Sequence, residues 1–120
     1  MKTHESEEMY LETIYLLREK QASIHAIDIA GELGYAKSSV SRAVGLLHKK
    51  GYIDINEYDE ITLTKTGFAK AAHIYERHRV ISELLIRMGA DEVLAEENAC
   101  RIEHVITPEL FGIIKEYLKK

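Results

Sequence analysis

The 120-residue sequence predicts a mainly α fold in which a winged helix-turn-helix over residues 1–64 is followed by an all-helical lobe over residues 65–120. Three features predict it. Two short amphipathic helical patterns meet at Gly34-Tyr35, a junction of the length a helix-turn-helix uses. At Tyr52 the apolar period changes from helical to alternating, and at Thr64 it changes back, which marks a two-stranded hairpin between helices. Beyond Thr64 the apolar residues recur only at helical spacing, interrupted at Gly89 and Thr107-Pro108.

The first helix is expected from about Ser6 to Glu19. Ser6 is a suitable N-cap, Glu7 and Glu8 favour the positive end of the helix dipole, and Tyr10, Leu11, Ile14 and Leu17 form an apolar stripe. A second helix spans about His25 to Leu33, with Ile27, Ala30 and Leu33 on one side and Gly34 as its stop. The third runs from about Lys37 to Lys49. It turns Val40, Val44 and Leu47 inward and leaves Lys37, Ser38, Ser39, Ser41 and Arg42 on its N-terminal outer face, as a helix that reads a DNA groove requires. The runs Tyr52–Ile55 and Ile61–Thr64 form the wing, with Tyr58 at its tip. A long helix follows from Lys65 to Met88, capped by Thr64 and ended by Gly89. Asp91 caps a fifth helix, and Thr107-Pro108 opens a last one to Tyr117 or Leu118. Leu84, Leu85, Val93, Leu110, Phe111, Ile113 and Ile114 give this small lobe more apolar surface than it can cover, which predicts a homodimer.

The formal net charge of −4 excludes a uniformly basic nucleic-acid binder. The charge is uneven, however. Residues 34–79 hold eight Lys/Arg against five Asp/Glu, so that stretch is +3 and the remainder −7. A basic middle in an acidic chain suits a DNA-reading module joined to something with another task. One cysteine excludes an internal disulfide framework, and neither an apolar run of membrane length nor a signal-peptide pattern is visible, so a cytoplasmic chain without membrane contact is expected.

The other task is indicated by Cys100, Glu103 and His104. On a helix, positions i, i+3 and i+4 are neighbours, and thiolate, carboxylate and imidazole are all transition-metal ligands. Met9, Glu12 and His78 are candidates for the remaining ligands, whereas His4, His25, His48 and His73 read as surface residues. A metallohydrolase is disfavoured by the absence of an HExxH motif and of chain enough for a substrate pocket. A winged-helix regulator that senses an organic ligand or oxidation of Cys100 is the stronger rival.

Five separated motifs carry a resemblance. They are Glu8-Met9-Tyr10-Leu11-Glu12-Thr13-Ile14-Tyr15, Ser38-Ser39-Val40-Ser41, Leu63-Thr64-Lys65-Thr66-Gly67, Arg77-His78-Arg79 and Glu97-Asn98-Ala99-Cys100-Arg101-Ile102-Glu103-His104. In this order they resemble the diphtheria toxin repressor family of metal-dependent transcriptional regulators, which includes the manganese transport regulators, and the resemblance covers nearly the whole chain. It implies a homodimeric repressor that binds double-stranded operator DNA when a divalent metal is bound, and no organic substrate.

By that resemblance Met9, Cys100, Glu103 and His104 fall on the primary metal site, Cys100 through its sulfur or its backbone carbonyl. Glu12 and His78 match positions used by manganese-type members. Where iron-type members place a second-site histidine and glutamate, this chain has Glu96 and Ser82. Its length resembles a short form without the SH3-like domain of iron-type members. Size therefore points to manganese, while the thioether of Met9 and the sulfur of Cys100 point to iron(II), the effector expected here, with manganese(II) as the alternative. Cobalt(II), nickel(II) or zinc(II) are expected to bind in vitro.

Overall fold

The computed structural model describes residues 3–120, with side chains from Glu7 onward. The elements in chain order are α1 (Thr3–Lys20), α2 (Ala26–Leu33), α3 (Lys37–Lys49), β1 (Ile53–Ile55), β2 (Ile61–Leu63), α4 (Lys65–Arg87), α5 (Glu92–Ile102) and α6 (Pro108–Leu118). The chain divides into two compact units between Ala72 and His73, within α4.

The first unit closes around Leu11 and Ile14 of α1, Ile29 of α2, Val40 and Leu47 of α3 and Ile53 of β1, all essentially without solvent exposure. Burying side chains of this size stabilises by about 1.5–3 kcal/mol each, so the apolar stripes of the three helices hold the helix-turn-helix. The strands pair antiparallel, Ile53 with Leu63 and Ile55 with Ile61. The hairpin is tied to the segment before α2 by the Ile61 N–H, which donates to the Ile24 carbonyl at 2.8 Å. At the wing tip the Asn56 side-chain oxygen accepts from the N–H groups of Tyr58 and Glu60, and Asp59 takes the left-handed turn conformation (φ 61°).

Two glycines have structural duties. Gly34 ends α2 in the left-handed region (φ 72°), which lets α3 start within three residues. Gly67 lies in the first turn of α4, where a Cβ would stand 1.9 Å from the Tyr52 carbonyl oxygen. Thr64 caps that turn by accepting the Gly67 N–H at 3.0 Å.

Several expectations are corrected. α1 begins at Thr3, so Ser6 lies inside the helix and cannot cap it; no proline or glycine interrupts residues 3–6. The side chains of His4 and Ser6 lie outside those described. His25 is the N-cap of α2, its N–H donating to Asp28 at 2.7 Å, and its side chain stays 40% exposed as expected of a surface residue. On α2 the buried stripe is Ile29 and Ala30 with Leu33 half-buried, while Ile27 is 59% exposed. Ala26, Ile29, Ala30 and Leu33 sit at spacings of i, i+3, i+4 and i+7, a more regular helical face than the one through Ile27.

In the second unit Ile74, Ile81, Ala95, Ala99 and Phe111 are buried. Asp91 caps α5 through the Leu94 N–H at 2.8 Å, and Thr107 caps α6. Phe111 was expected on the surface left to a partner, but it is inside the unit, with His73 edge-on and the cations of Arg77 and Lys115 over its ring. Val93, Leu110 and Ile113 are exposed, whereas Leu84, Leu85 and Ile114 are half-buried.

Candidate metal centre and DNA-reading face

α5 ends two residues short of His104, so Cys100, Glu103 and His104 do not all lie on one helical face. Its last helical residue is Ile102, and Glu103 is the C-cap, its N–H donating to the Ala99 carbonyl. The thiol-bearing Cys100 stays exposed while Glu103 is wholly buried. His104 follows in a turn and is half-buried.

α4 supplies the facing groups. His78 Nδ1 lies 3.2 Å from one Glu103 oxygen, and His104 Nε2 lies 3.4 Å from the other. On its far edge, His78 Nε2 meets the exposed Glu96 of α5 at 2.5 Å. Arg77 donates to the Glu103 carbonyl at 3.2 Å and so fixes the backbone at the end of α5. The structure thus brings His78, Glu96, Glu103 and His104 together, and the Cys100 thiol is turned to solvent. Arg77 is a functional candidate by this geometry; its place in the Arg77-His78-Arg79 motif was the signal for it.

Among the described residues neither Glu103 carboxylate oxygen receives a hydrogen bond. A buried carboxylate without donors costs several kcal/mol unless a positive charge compensates it. Two imidazole nitrogens beside a carboxylate make a mixed N/O donor set of the kind that divalent transition metals take. The residues therefore fit a divalent metal ion. Ser82 offers only a buried hydroxyl with no hydrogen-bond partner among the described residues.

In the first unit Met9 and Glu12 lie three residues apart on α1, one turn along the same face, with Glu12 buried and Met9 half-buried. Thr13 donates to the Met9 carbonyl at 2.8 Å, and the Tyr35 hydroxyl donates to Met9 Sδ at 3.8 Å. Just before them, buried Glu7 is paired with Lys50 at 2.5 Å and Lys70 at 3.4 Å. Burial pushes the Glu7 carboxyl up, but the two ammonium groups outweigh it and hold it below the usual carboxylate range. Nothing in the sequence pattern pairs Glu7 with Lys50, because the contact joins residues 43 positions apart.

On α3, Lys37, Ser38, Ser41 and Arg42 are exposed and Ser39 is half-buried, with the apolar residues Val40, Val44 and Leu47 on the opposite side. Tyr58 stands at the wing tip, 71% exposed. α3 and the wing present hydroxyls, two cations and a phenol, the chemistry of groove and phosphate contacts.

Residues 2–61 match the iron dependent repressor N-terminal DNA binding domain, and residues 64–120 match the iron dependent repressor metal binding and dimerisation domain. The chain belongs to the iron-dependent repressor family. This repressor is 35% identical over 118 residues to an uncharacterized HTH-type transcriptional regulator of Methanocaldococcus jannaschii, covering 97% of this chain and 94% of that one. It is 31% identical to the diphtheria toxin repressor of Corynebacterium diphtheriae, covering 93% of this chain but only 50% of that protein. Among solved structures, the manganese regulator SloR superposes with a TM-score of 0.83 at 25% identity, over 94% of this chain and 53% of SloR. The repressor spans about half the length of the diphtheria toxin repressor.

Membership carries the general function. The chain is a metal-dependent transcriptional repressor, not an enzyme, with a domain for operator DNA and a domain for a divalent metal and for homodimerisation. No helix of the described residues is long and apolar enough to cross a membrane.

Proposed function

We propose that this repressor answers to iron(II), with residues 1–64 reading the operator and residues 65–120 carrying dimerisation and most of the metal ligands. The ligand set we assign is Met9 and Glu12 from α1, His78 from α4, and Glu96, Cys100, Glu103 and His104 from α5 and the turn after it. The exposed thiol favours the backbone carbonyl of Cys100 as its donor. The observation that carries the metal centre is Glu103, wholly buried and without a hydrogen-bond donor on its oxygens, between two imidazoles.

A bound divalent ion would supply positive charge beside the buried Glu103 carboxylate. The protein does the rest. Glu103, held at the end of α5 by Arg77, sets one side of the centre; Met9 and Glu12 commit α1, and with it the helix-turn-helix, to the same centre. In a homodimer this fixes the separation of the two α3 helices, which must enter major grooves about 34 Å apart or a multiple of it. Without that constraint Glu12 and Glu103 repel, and the operator-competent arrangement is one of several. Arg42 is assigned to base reading, with Lys37, Ser38, Ser39 and Ser41 beside it on the groove and Tyr58 on phosphate or the minor groove.

The choice of iron(II) rests on the thioether of Met9 with the two imidazoles, since manganese(II) prefers oxygen and gains little from sulfur. A manganese response is the second reading, favoured by the likeness to the manganese regulator SloR. The two separate in an oxygen-free titration of operator binding against free iron(II) and free manganese(II). Activation at lower free iron(II) supports the assignment, and the double variant Met9→Asp, Cys100→Glu should move the preference toward manganese. Activation of the unaltered protein at lower free manganese overturns it.

A further inference from the structure

We propose that Tyr35 is a positioning residue for the metal response: its hydroxyl holds the Met9 sulfur, so that the turn of the helix-turn-helix and the metal centre draw on the same atom. The inference rests on the assignment of Met9 as a ligand.

Tyr35 directly follows the left-handed Gly34 and precedes Ala36, the N-cap of α3, so its position is set by the turn that aims the recognition helix. Its N–H and that of Gly34 both donate to the Ala30 carbonyl, at 3.3 and 2.8 Å, which anchors the turn to α2. The ring meets Tyr10 of α1 edge-on, centroids 6.2 Å apart. From this seat the hydroxyl reaches Met9 Sδ at 3.8 Å, while the Met9 carbonyl is held separately by Thr13. Within this unit, then, the flexible thioether is the part of Met9 whose partner can change.

A thioether is a weak hydrogen-bond acceptor. Donating one lone pair to a metal ion withdraws charge from the sulfur, so the second lone pair accepts still less well even where the geometry leaves it free. Metal binding at Met9 and the Tyr35 hydrogen bond are therefore antagonistic, and the antagonism is reciprocal. Losing the hydroxyl should tighten metal binding; binding metal should loosen the turn before α3. The expected size is that of one weak hydrogen bond, about two- to fivefold in affinity.

The test is a double-mutant cycle without DNA. Cobalt(II) and manganese(II) affinities are measured by competition with a fluorescent chelator for the full chain, for Tyr35→Phe, for Met9→Leu and for both together. Tyr35→Phe keeps the ring and its edge-on contact and should tighten binding about two- to fivefold, whereas the same change in the Met9→Leu background should do nothing. Unchanged or weakened binding in Tyr35→Phe, or equal tightening in both backgrounds, overturns the inference. Met9→Leu weaker than wild type alongside an inert Tyr35→Phe removes Tyr35 alone and keeps Met9 as a ligand. Met9→Leu equal to wild type removes both.

Discussion

The buried carboxylate of Glu103 and the imidazole of His78 stand 3.2 Å apart, and among the described residues no hydrogen bond reaches either glutamate oxygen. Such a pair is stabilised by what lies between or beside its members, which makes Glu103 the residue whose replacement separates folding from metal binding. Glu103→Gln keeps shape and removes the charge. In chelator the variant should be as stable as wild type or more stable by about 1–3 kcal/mol, because an uncompensated buried charge is gone. Its stabilisation by added divalent metal should vanish. Thermal unfolding with and without metal reads both; a metal-induced shift as large as that of wild type would contradict the role of Glu103.

Readout by α3 predicts a contrast between two cations on one helix. Arg42→Ala should weaken binding to the preferred site by about 1–3 kcal/mol and relax preference at one base position. Lys49→Ala, at the far end of α3, should weaken all sequences alike. Selection from a randomised DNA pool distinguishes them, and an unchanged preference after Arg42→Ala would remove Arg42 as a base reader.

Close approach of backbone to backbone at the start of α4 predicts that Gly67 tolerates no side chain. In Gly67→Ala the added methyl meets the Tyr52 carbonyl, at a Cβ distance of 1.9 Å if nothing moves. Relief requires a shift of the wing or of α4, with a cost of about 1–3 kcal/mol typical of overpacking. Urea denaturation measures it; a loss below a few tenths of a kcal/mol would mean that the contact relaxes freely.

Glu7 predicts a pH dependence of known sign. Its carboxyl is pushed up by burial but held, on balance, below the ordinary value of 4.5 by Lys50 and Lys70. A depressed folded value means that its contribution to stability is complete above 4.5 and is lost as pH falls through the depressed value. Glu7→Gln should therefore show less loss of stability on acidification than wild type. Parallel acid-unfolding curves for the two proteins would contradict the assignment.

Local patterns in the sequence were enough for α3, the wing and the caps at Thr64, Asp91 and Thr107, because each depends on residues a few positions apart: Val40, Val44 and Leu47 on one face, or a side-chain oxygen three residues before the N–H from which it accepts. Ile27 was misplaced because two apolar faces of α2 compete and only packing against α1 and α3 selects Ile29. The ligand face on α5 depended on the helix continuing through His104, but Glu103 ends it as the C-cap, and helix ends are weakly encoded without a glycine or proline. The pairing of Glu7 with Lys50 and the hold of Tyr35 on Met9 join distant residues, and no period or motif reports such contacts.

The central claim is that metal occupancy governs operator binding without building the fold. It is tested most directly by fluorescence anisotropy of labelled operator DNA, oxygen-free, in saturating iron(II) and again in excess chelator, with sedimentation of the same samples to report the dimer. The account predicts tight, sequence-specific binding with iron(II) and its loss in chelator while the protein stays a folded dimer. Equal affinity for the operator in both conditions would contradict it.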